Sequence, residues 1–374
     1  MAHTTFHILI LLLLAAGPFA GQTTQAEWTG VERVVAVGDI HGDYDAFVGV
    51  LRSAGVVDRK DRWTGGRTHL VQTGDVLDRG AGSRKVMDLL MALEKQAAKA
   101  GGRVHALIGN HEAMNLYGDL RYAIASEYAA FRTNDSEQVR AAFWEQEIQT
   151  LPAPPSAAAR KQWEAEHPLG WFEHRLAFGP KGQYGKWIRS HNMVVKINDT
   201  IYMHAGISPR FAAASITQLN AAIASELADF TKIKEGSPVT AEDGPLWYRG
   251  LAEDDGAAIA AHVNRLLETH RIQRIVIGHT PTPGAVIPRF NGKVILIDVG
   301  ITAYYGGHSA CLLLEGGKLY TIHRGEKIPL PGGGPADFVG YLKKTVSLEP
   351  VGSTLAKYLV EVERALNHQG TGTR

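Results

Sequence analysis

Five short stretches of this sequence carry the side chains that bind hard and borderline cations, and each follows a run rich in apolar, β-branched residues. They are Gly38-Asp39-Ile40-His41-Gly42, Gly74-Asp75-Val76-Leu77-Asp78-Arg79-Gly80, Gly109-Asn110-His111-Glu112, His204-Ala205-Gly206 and Gly278-His279-Thr280. Asp, Asn and His without thiolate suit divalent ions, and two ions about 4 Å apart need a carboxylate that serves both. Asp39 and His41, two apart on an extended loop, can face the same way and hold one ion with Asp75. Asn110, His204 and His279 can hold the other, with Asp75 shared. A single His or Asp at a strand end is usually just solvated. Five such clusters, each behind a strand, point to one shared site.

The residues left over from this ligand set carry different chemistry. His111 follows Asn110 directly, so its side chain leaves the backbone on another side and is free to transfer a proton. A hydrogen bond from its ring to Asp78 would fix the tautomer and favour the imidazolium form, which suits a general acid facing a leaving alkoxide or phenoxide. Arg79 and Arg249 supply planar forks that match phosphate oxygens at two points. Two cations and two arginines fit a phosphate ester, whose transition state spreads negative charge over its oxygens.

The elements that must position these groups read as strands followed by helices. Strands are expected over 34–37, 70–73 and 104–108, each short, Val- and Ile-rich and closed by a glycine that lets the chain turn. Asp43 can cap a helix that buries Phe47, Val50, Leu51 and Ala54, and a second helix from Ser83 buries Val86, Leu89, Leu90 and Leu93 before Gly101-Gly102. Open α/β sheets place their sites at the carboxyl ends of strands connected in this order. From 113 to 190 the pattern turns helical and aromatic, broken by Pro152-Ala153-Pro154-Pro155 and Pro168. That is long for a connection between two ligand-bearing strands, and it reads as a helical insertion lying over the site, with ordinary peripheral helices as the alternative. Strands resume at 193–197, 200–203, 274–277, 294–299, 310–314 and 319–322, and Leu355, Tyr358, Leu359, Val362 and Leu366 lie on one face of a last helix. The expected organisation is a leader over 1–26, a catalytic domain over 27–345 that includes the insertion, and a C-terminal helix and tail over 346–374.

Composition narrows the function classes. With 374 residues, 45% hydrophobic content and a net charge of +1, the chain is globular, and it has no basic stripe for nucleic acid. The apolar run 8–16, followed by small residues, reads as an export leader cut after Ala20 or Ala26, although its start carries His3 and His7 and no Lys or Arg. It is well short of the roughly 20 apolar residues of a membrane anchor, so the expectation is a periplasmic or secreted protein with no stable membrane insertion. Cys311 is the single cysteine, which leaves no intramolecular disulfide, and Gly317 stands where a cysteine phosphatase loop would need its arginine.

Taken together, the five motifs resemble the phosphoprotein phosphatase (PPP) family of calcineurin-like metallophosphoesterases, in the right order over roughly 34–314. Leu246-Trp247-Tyr248-Arg249-Gly250 and the leader resemble the Shewanella-like branch of bacterial and plant-type enzymes. The resemblance implies an α/β metallophosphoesterase fold with a central β-sandwich flanked by helices, and two divalent ions of manganese, iron or zinc. It implies in-line attack by a metal-bridging hydroxide with no covalent phosphoenzyme. By matched motif, Asp39, His41 and Asp75 hold the first ion, and Asp75, Asn110, His204 and His279 the second. His111 paired with Asp78 is the acid, and Arg79, with Arg249, clamps the phosphate. Tyr304 matches a tyrosine near the metals, with Tyr305 competing for that place. Two departures stand out: His204-Ala205-Gly206 replaces His-Gly-Gly, and the segment after Glu112 has no counterpart in the compact eukaryotic domains. The function expected is an exported phosphatase acting on phosphate monoesters, either of a phosphoprotein (phosphotyrosine or phosphoserine/threonine) or of a small aryl ester. Hydrolysis of dinucleoside polyphosphates is the alternative on the same metal core. A catalytically silent metal-binding scaffold is the alternative from another class, and His111, Asp78 and Arg79 together speak against it.

Overall fold

The computed structural model describes residues 25–332 and 334–371, so the leader expected over 1–26 lies outside the described residues except for its last two. In chain order the strands are β1 (Glu27–Trp28), β2 (Arg33–Val37), β3 (His69–Gln72), β4 (Arg103–Ala106), β5 (Val194–Ile197) and β6 (Thr200–Met203). They continue as β7 (Arg274–Ile277), β8 (Ile287–Arg289), β9 (Val294–Leu296), β10 (Ala310–Glu315), β11 (Lys318–His323) and β12 (Glu326–Pro329).

The strands make two six-stranded mixed sheets, ordered β12-β11-β10-β2-β3-β4 and β1-β5-β6-β7-β9-β8. Each sheet contains one parallel trio: β2, β3 and β4 in the first, and β6, β7 and β9 in the second. Most of their residues are buried, as in parallel strands covered by other layers, and β2, β7 and β9 are rich in Val and Ile. One apolar core joins the sheets to their flanking helices.

The helices close as their caps dictate. The Asp43 carboxylate accepts from the Ala46 N–H at 3.1 Å and starts the helix Tyr44–Ser53, which buries Phe47, Val48, Val50 and Leu51. Each such side chain contributes roughly 1.5–3 kcal/mol by leaving water. The helix Ser83–Lys99 buries Val86, Met87, Leu89, Leu90 and Leu93 and packs on β4. Between β4 and β5 run the short helix Asn110–Tyr117 and five more, Ala125–Ala129, Ser136–Ile148, Ala157–Glu166, Trp171–Phe178 and Gln183–Arg189. Trp144, Trp163 and Phe172 give this segment a small core of its own.

Strand ends lie within three residues of the sequence reading, with β6 and β7 matching it at both ends, and β1, β8, β12 and the helix Pro335–Val346 are among the elements it lacks. β1, β8 and β12 are short pieces at sheet edges: β1 pairs with the distant β5, whereas β8 and β12 fold back on their sequence neighbours β9 and β11. The helix Pro335–Val346 follows a Gly/Pro tract that masks its start, yet Pro at the first helical position is favourable because that N–H has no helical partner. It packs against the helix Thr354–Thr371. No helix among the described residues is long and apolar enough to cross a membrane.

Candidate active site

The carboxyl ends of the two parallel trios meet. Asp39 and His41 follow β2, Asp75, Asp78 and Arg79 follow β3, and Asn110 and His111 open the helix after β4. From the other sheet come His204 after β6, His279 after β7 and Asp298 after β9. Backbone bonds stitch the loops together: Ile40 and His41 both donate to the Asp75 carbonyl, at 2.9 and 3.0 Å, and Gly278 donates to the His204 carbonyl at 2.8 Å. A side chain at Gly278 would overlap the Asp39 carboxylate, and one at Gly109 would overlap that of Asp75. The glycine heading these motifs is therefore required by close approach.

The backbone is strained where these groups converge. Five of the eleven non-glycine residues with positive φ among the described residues belong to the site: His41 (47°), Asp75 (57°), Asp78 (68°), Arg79 (66°) and His279 (64°). Such residues typically cost on the order of 1 kcal/mol or more each and persist only where surrounding contacts hold them. Glu112 is one such contact, since its buried carboxylate accepts from the backbone N–H groups of Asp75 (2.8 Å), Val76 (2.9 Å) and Gly109 (2.9 Å).

Asp75 lies at the centre. Its carboxylate oxygens are 3.9 Å from His41 Nε2, 3.7 Å from His111 Nε2 and 3.4 Å from His204 Nε2. His204 Nε2 is also 2.8 Å from Asn110 Oδ1 and 3.0 Å from His279 Nδ1, while Asp39 Oδ2 is 4.0 Å from His41 Nε2. Two overlapping groups, His41-Asp75-His111 and Asp75-His204-His279, have ligand atoms close enough to hold a cation, with Asp75 common to both.

The donor set fits divalent metals, and the outer hydrogen bonds show why. His41 Nδ1 donates to the Leu77 carbonyl (2.9 Å), His204 Nδ1 to that of Thr73 (2.9 Å), and His279 Nε2 to that of Trp247 (3.1 Å). Each ring thereby keeps its other nitrogen unprotonated and facing Asp75, the arrangement that orients metal-binding histidines. Burial reinforces it: His41 is pushed down to about 3, His204 is lowered and His279 is lowered well below its ordinary value. Burial, Asp298 and Asp75 in turn hold the Asp39 carboxyl well above the usual carboxylate range. Burial also raises Asp75, but His204, His111, His41 and His279 outweigh it and hold that carboxyl down.

His111 departs from this pattern. Burial would lower it, but the Asp75 charge and the hydrogen bond to Asp78 prevail, and its pKa is raised. Its Nδ1 donates to Asp78 Oδ2 in a short bond, and the other oxygen of Asp78 accepts from Asn115 Nδ2 at 3.0 Å. Arg79 Nη1 lies 3.1 Å from His111 Nε2 and 2.7 Å from His41 Nε2. Arg249 is only partly available, because its Nη1 donates to the His279 carbonyl (2.8 Å) and to Thr280 Oγ1 (3.0 Å). Of the two tyrosines, Tyr304 is 69% exposed, whereas the half-buried Tyr305 sits closer in, its ring centroid 5.7 Å from that of His41.

Sequence reasoning left three contributors unassigned. Glu112 stood inside its own motif. Asp298 ends a strand-like run and is followed by Val299-Gly300, much like the five motifs, and its buried carboxyl interacts with that of Asp39. Tyr122, from the segment after the helix Asn110–Tyr117, reaches back so that its ring centroid is 5.0 Å from that of His111, a contact with no local signal.

Comparison with known proteins places this arrangement. The family model for calcineurin-like phosphoesterases matches residues 32–312. An uncharacterized protein of Schizosaccharomyces pombe is 34% identical over 79% of this chain and 82% of its own length. Shewanella-like protein phosphatase 2 of Arabidopsis thaliana is 28% identical over 74% of this chain and 73% of its own. Among solved structures, the cold-active protein-tyrosine phosphatase of a psychrophilic Shewanella species is 29% identical, with a TM-score of 0.65 over 82% of this chain and 83% of that one.

Proposed function

From the premise that this chain belongs to the calcineurin-like phosphoesterase family and is a metal-dependent phosphatase, we propose that it hydrolyses phosphate monoesters of a phosphoprotein or an aryl alcohol. The carrying observation is the juxtaposition of the His111–Asp78 pair and Arg79 with the Asp75-centred ligand groups. Asp39, His41 and Asp75 would hold one divalent ion, and Asp75, Asn110, His204 and His279 a second, with manganese, iron or zinc suited to such N/O donors. Bound there, the ions would polarise phosphoryl oxygens and supply an activated water at neutral pH.

The chain's own groups do the rest. Arg79 holds phosphoryl oxygens beside His111, and Arg249 contributes charge while bracing the His279 loop. Asp78 keeps His111 in the tautomer with Nδ1–H and favours its protonated form, so that Nε2–H can be given to the departing ester oxygen. The buried, strained loops fix this geometry before substrate arrives, which is how positioned charge lowers a barrier. Export to the periplasm or beyond belongs to the same proposal and rests on the apolar run 8–16.

Metal-quantified protein is to be assayed in parallel on p-nitrophenyl phosphate, a phosphotyrosine peptide, a phosphoserine peptide and diadenosine tetraphosphate. Monoester turnover that disappears in chelator and returns with manganese is the expected result. Fully loaded protein that cleaves only the dinucleotide, or nothing, rejects the proposal. His111→Asn should lower turnover about 10²-fold or more with metal content unchanged, as for loss of a general acid.

A further inference from the structure

Arg79 does not reach the site bare. Its guanidinium carbon lies 4.9 Å from the ring centroid of Tyr122, 5.2 Å from that of Tyr305 and 5.7 Å from that of Tyr304. Two of these rings come from the loop after β9 and are in edge contact, with centroids 4.9 Å apart. The third, Tyr122, comes from the segment that follows the helix Asn110–Tyr117. Tyr122 is held there by its own backbone, since the Arg79 N–H donates to the Tyr122 carbonyl at 3.3 Å. Tyr122 and Tyr304 keep 37% and 69% of their surface exposed.

The position of Tyr122 relative to His111 gives this exposure a use. Their ring centroids are 5.0 Å apart. If His111 protonates the departing oxygen, the group attached to that oxygen emerges next to Tyr122. In an aryl monoester a flat ring begins one oxygen away from phosphorus, within reach of the collar. In a serine ester the same place is taken by a thin methylene. We propose that Tyr122, which with Tyr304 packs on Arg79, is a specificity-determining residue that selects aryl over alkyl phosphate monoesters by stacking on the leaving group. This rests on the reading of Arg79 and His111 given above. An aromatic pair adds enough beyond simple burial to shift a ratio of affinities by about five- to tenfold.

Non-hydrolysable ligands separate the two ideas. Benzylphosphonate and ethylphosphonate, whose methylene stands in for the ester oxygen, are titrated calorimetrically into manganese-loaded protein. Tyr122→Leu is expected to reduce the benzyl-to-ethyl affinity ratio about five- to tenfold, and Tyr122→Phe, which keeps the ring, to leave it near the wild-type value. A ratio unmoved in Tyr122→Leu, or moved equally in Tyr122→Phe, overturns the proposal. In turnover, Tyr122→Leu is expected to lose kcat/KM to a similar extent on free phosphotyrosine and on a phosphotyrosine peptide. A loss confined to the peptide assigns Tyr122 to the flanking chain and likewise overturns it. Because the phosphonate ratio needs no hydrolysis, a protein that shows the drop but turns over no monoester refutes the proposed function alone. One that turns over aryl esters with an unchanged ratio refutes the role of Tyr122 alone.

Discussion

Two buried clusters of acidic and basic side chains in this molecule balance their charge in opposite ways. Around Asp75 the buried carboxyl groups of Asp39, Asp78, Glu112 and Asp298 gather with histidines, three of which, His41, His204 and His279, burial keeps neutral. Around Glu349, in the link between the helices Pro335–Val346 and Thr354–Thr371, a single carboxylate is surrounded by donors. It accepts from Arg324 Nε and Nη2, both at 2.8 Å, from His323 Nε2 at 2.9 Å and from His308 Nδ1 at 3.1 Å. Burial would raise Glu349, but Arg324, His308 and His323 hold it below the usual carboxylate range. The first cluster has acceptors in excess and calls for cations from outside. The second is neutralised from within and has a structural reading: the His308 ring it holds lies close against Gly284 and Gly306, in the loops that follow His279 and Tyr305.

The largest effect expected from this contrast is at Asp75. Asp75→Asn removes the one carboxylate both ligand groups share, so metal content after dialysis should fall and monoester turnover should drop by about 10³-fold or more, since the ions supply several kcal/mol of charge stabilisation. The metal-free fold should hardly notice, because the change also relieves crowding against Asp39 and Glu112, both of which Asp75 pushes up. Denaturation of metal-free protein checks this. A variant that unfolds as readily as one broken at Glu349 would dissolve the distinction between the clusters.

Glu349→Ala should do the reverse. The Glu349 side chain is 1% exposed, and its removal leaves His308, 3% exposed, and part-buried Arg324 without their anion. Breaking a buried pair from one side typically destabilises by about 3 kcal/mol or more. The expected outcome is a lower denaturation midpoint with unchanged metal stoichiometry in the protein that remains folded. Loss of metal at full stability would show that the cluster serves the site instead.

The same contrast explains what could be read in advance. Asp39, His41, Asp75, Asn110, His204 and His279 were legible because each sits at a strand end behind a glycine or an apolar run, and parallel strands bring such ends together. The sandwich and its site loops followed from that grammar together with the family likeness. Glu349, Arg324, His323 and His308 carry no such grammar. They meet because β10 and β11 form a hairpin, which the Gly316-Gly317 turn does announce, and because the last two helices fold against each other, which no local pattern announces. Tyr122 was equally invisible, since its approach to Arg79 depends on a path through irregular chain. Asp298 is disguised by the apolar run 294–299, which reads as one strand although the strand stops at Leu296.

A histidine outside both clusters provides the smallest test. His174, in the helix Trp171–Phe178, packs against the rings of Phe178, Phe131 and Tyr128 at centroid distances of 4.4, 4.9 and 5.3 Å, and its buried Nδ1 has no hydrogen-bond partner among the described residues. Burial, and then the charge of Arg175, pushes it down to about 3. The folded pKa is thus below the unfolded value of about 6.5. Above pH 6.5 both states are neutral at this residue and stability does not depend on it. Below that, the unfolded chain takes up a proton that the folded chain refuses, so stability falls as pH drops, by ~1.4 kcal/mol per unit at most. Between pH 6.5 and 5 this amounts to about 2 kcal/mol. Glu349 is depressed and loses its contribution only at more acid pH, as an unfolded carboxylate near 4.3 begins to protonate. The site histidines titrate in the same window as His174, so the comparison needs His174→Phe, which keeps a ring in the aromatic cluster. Its stability should match that of the wild type within about 1 kcal/mol at pH 8 and exceed it by about 2 kcal/mol at pH 5. Parallel pH profiles would mean that the acid sensitivity of the fold resides in the other histidines that burial lowers, His69 and His105 as well as those around Asp75, and only the share of the latter should be protected by metal.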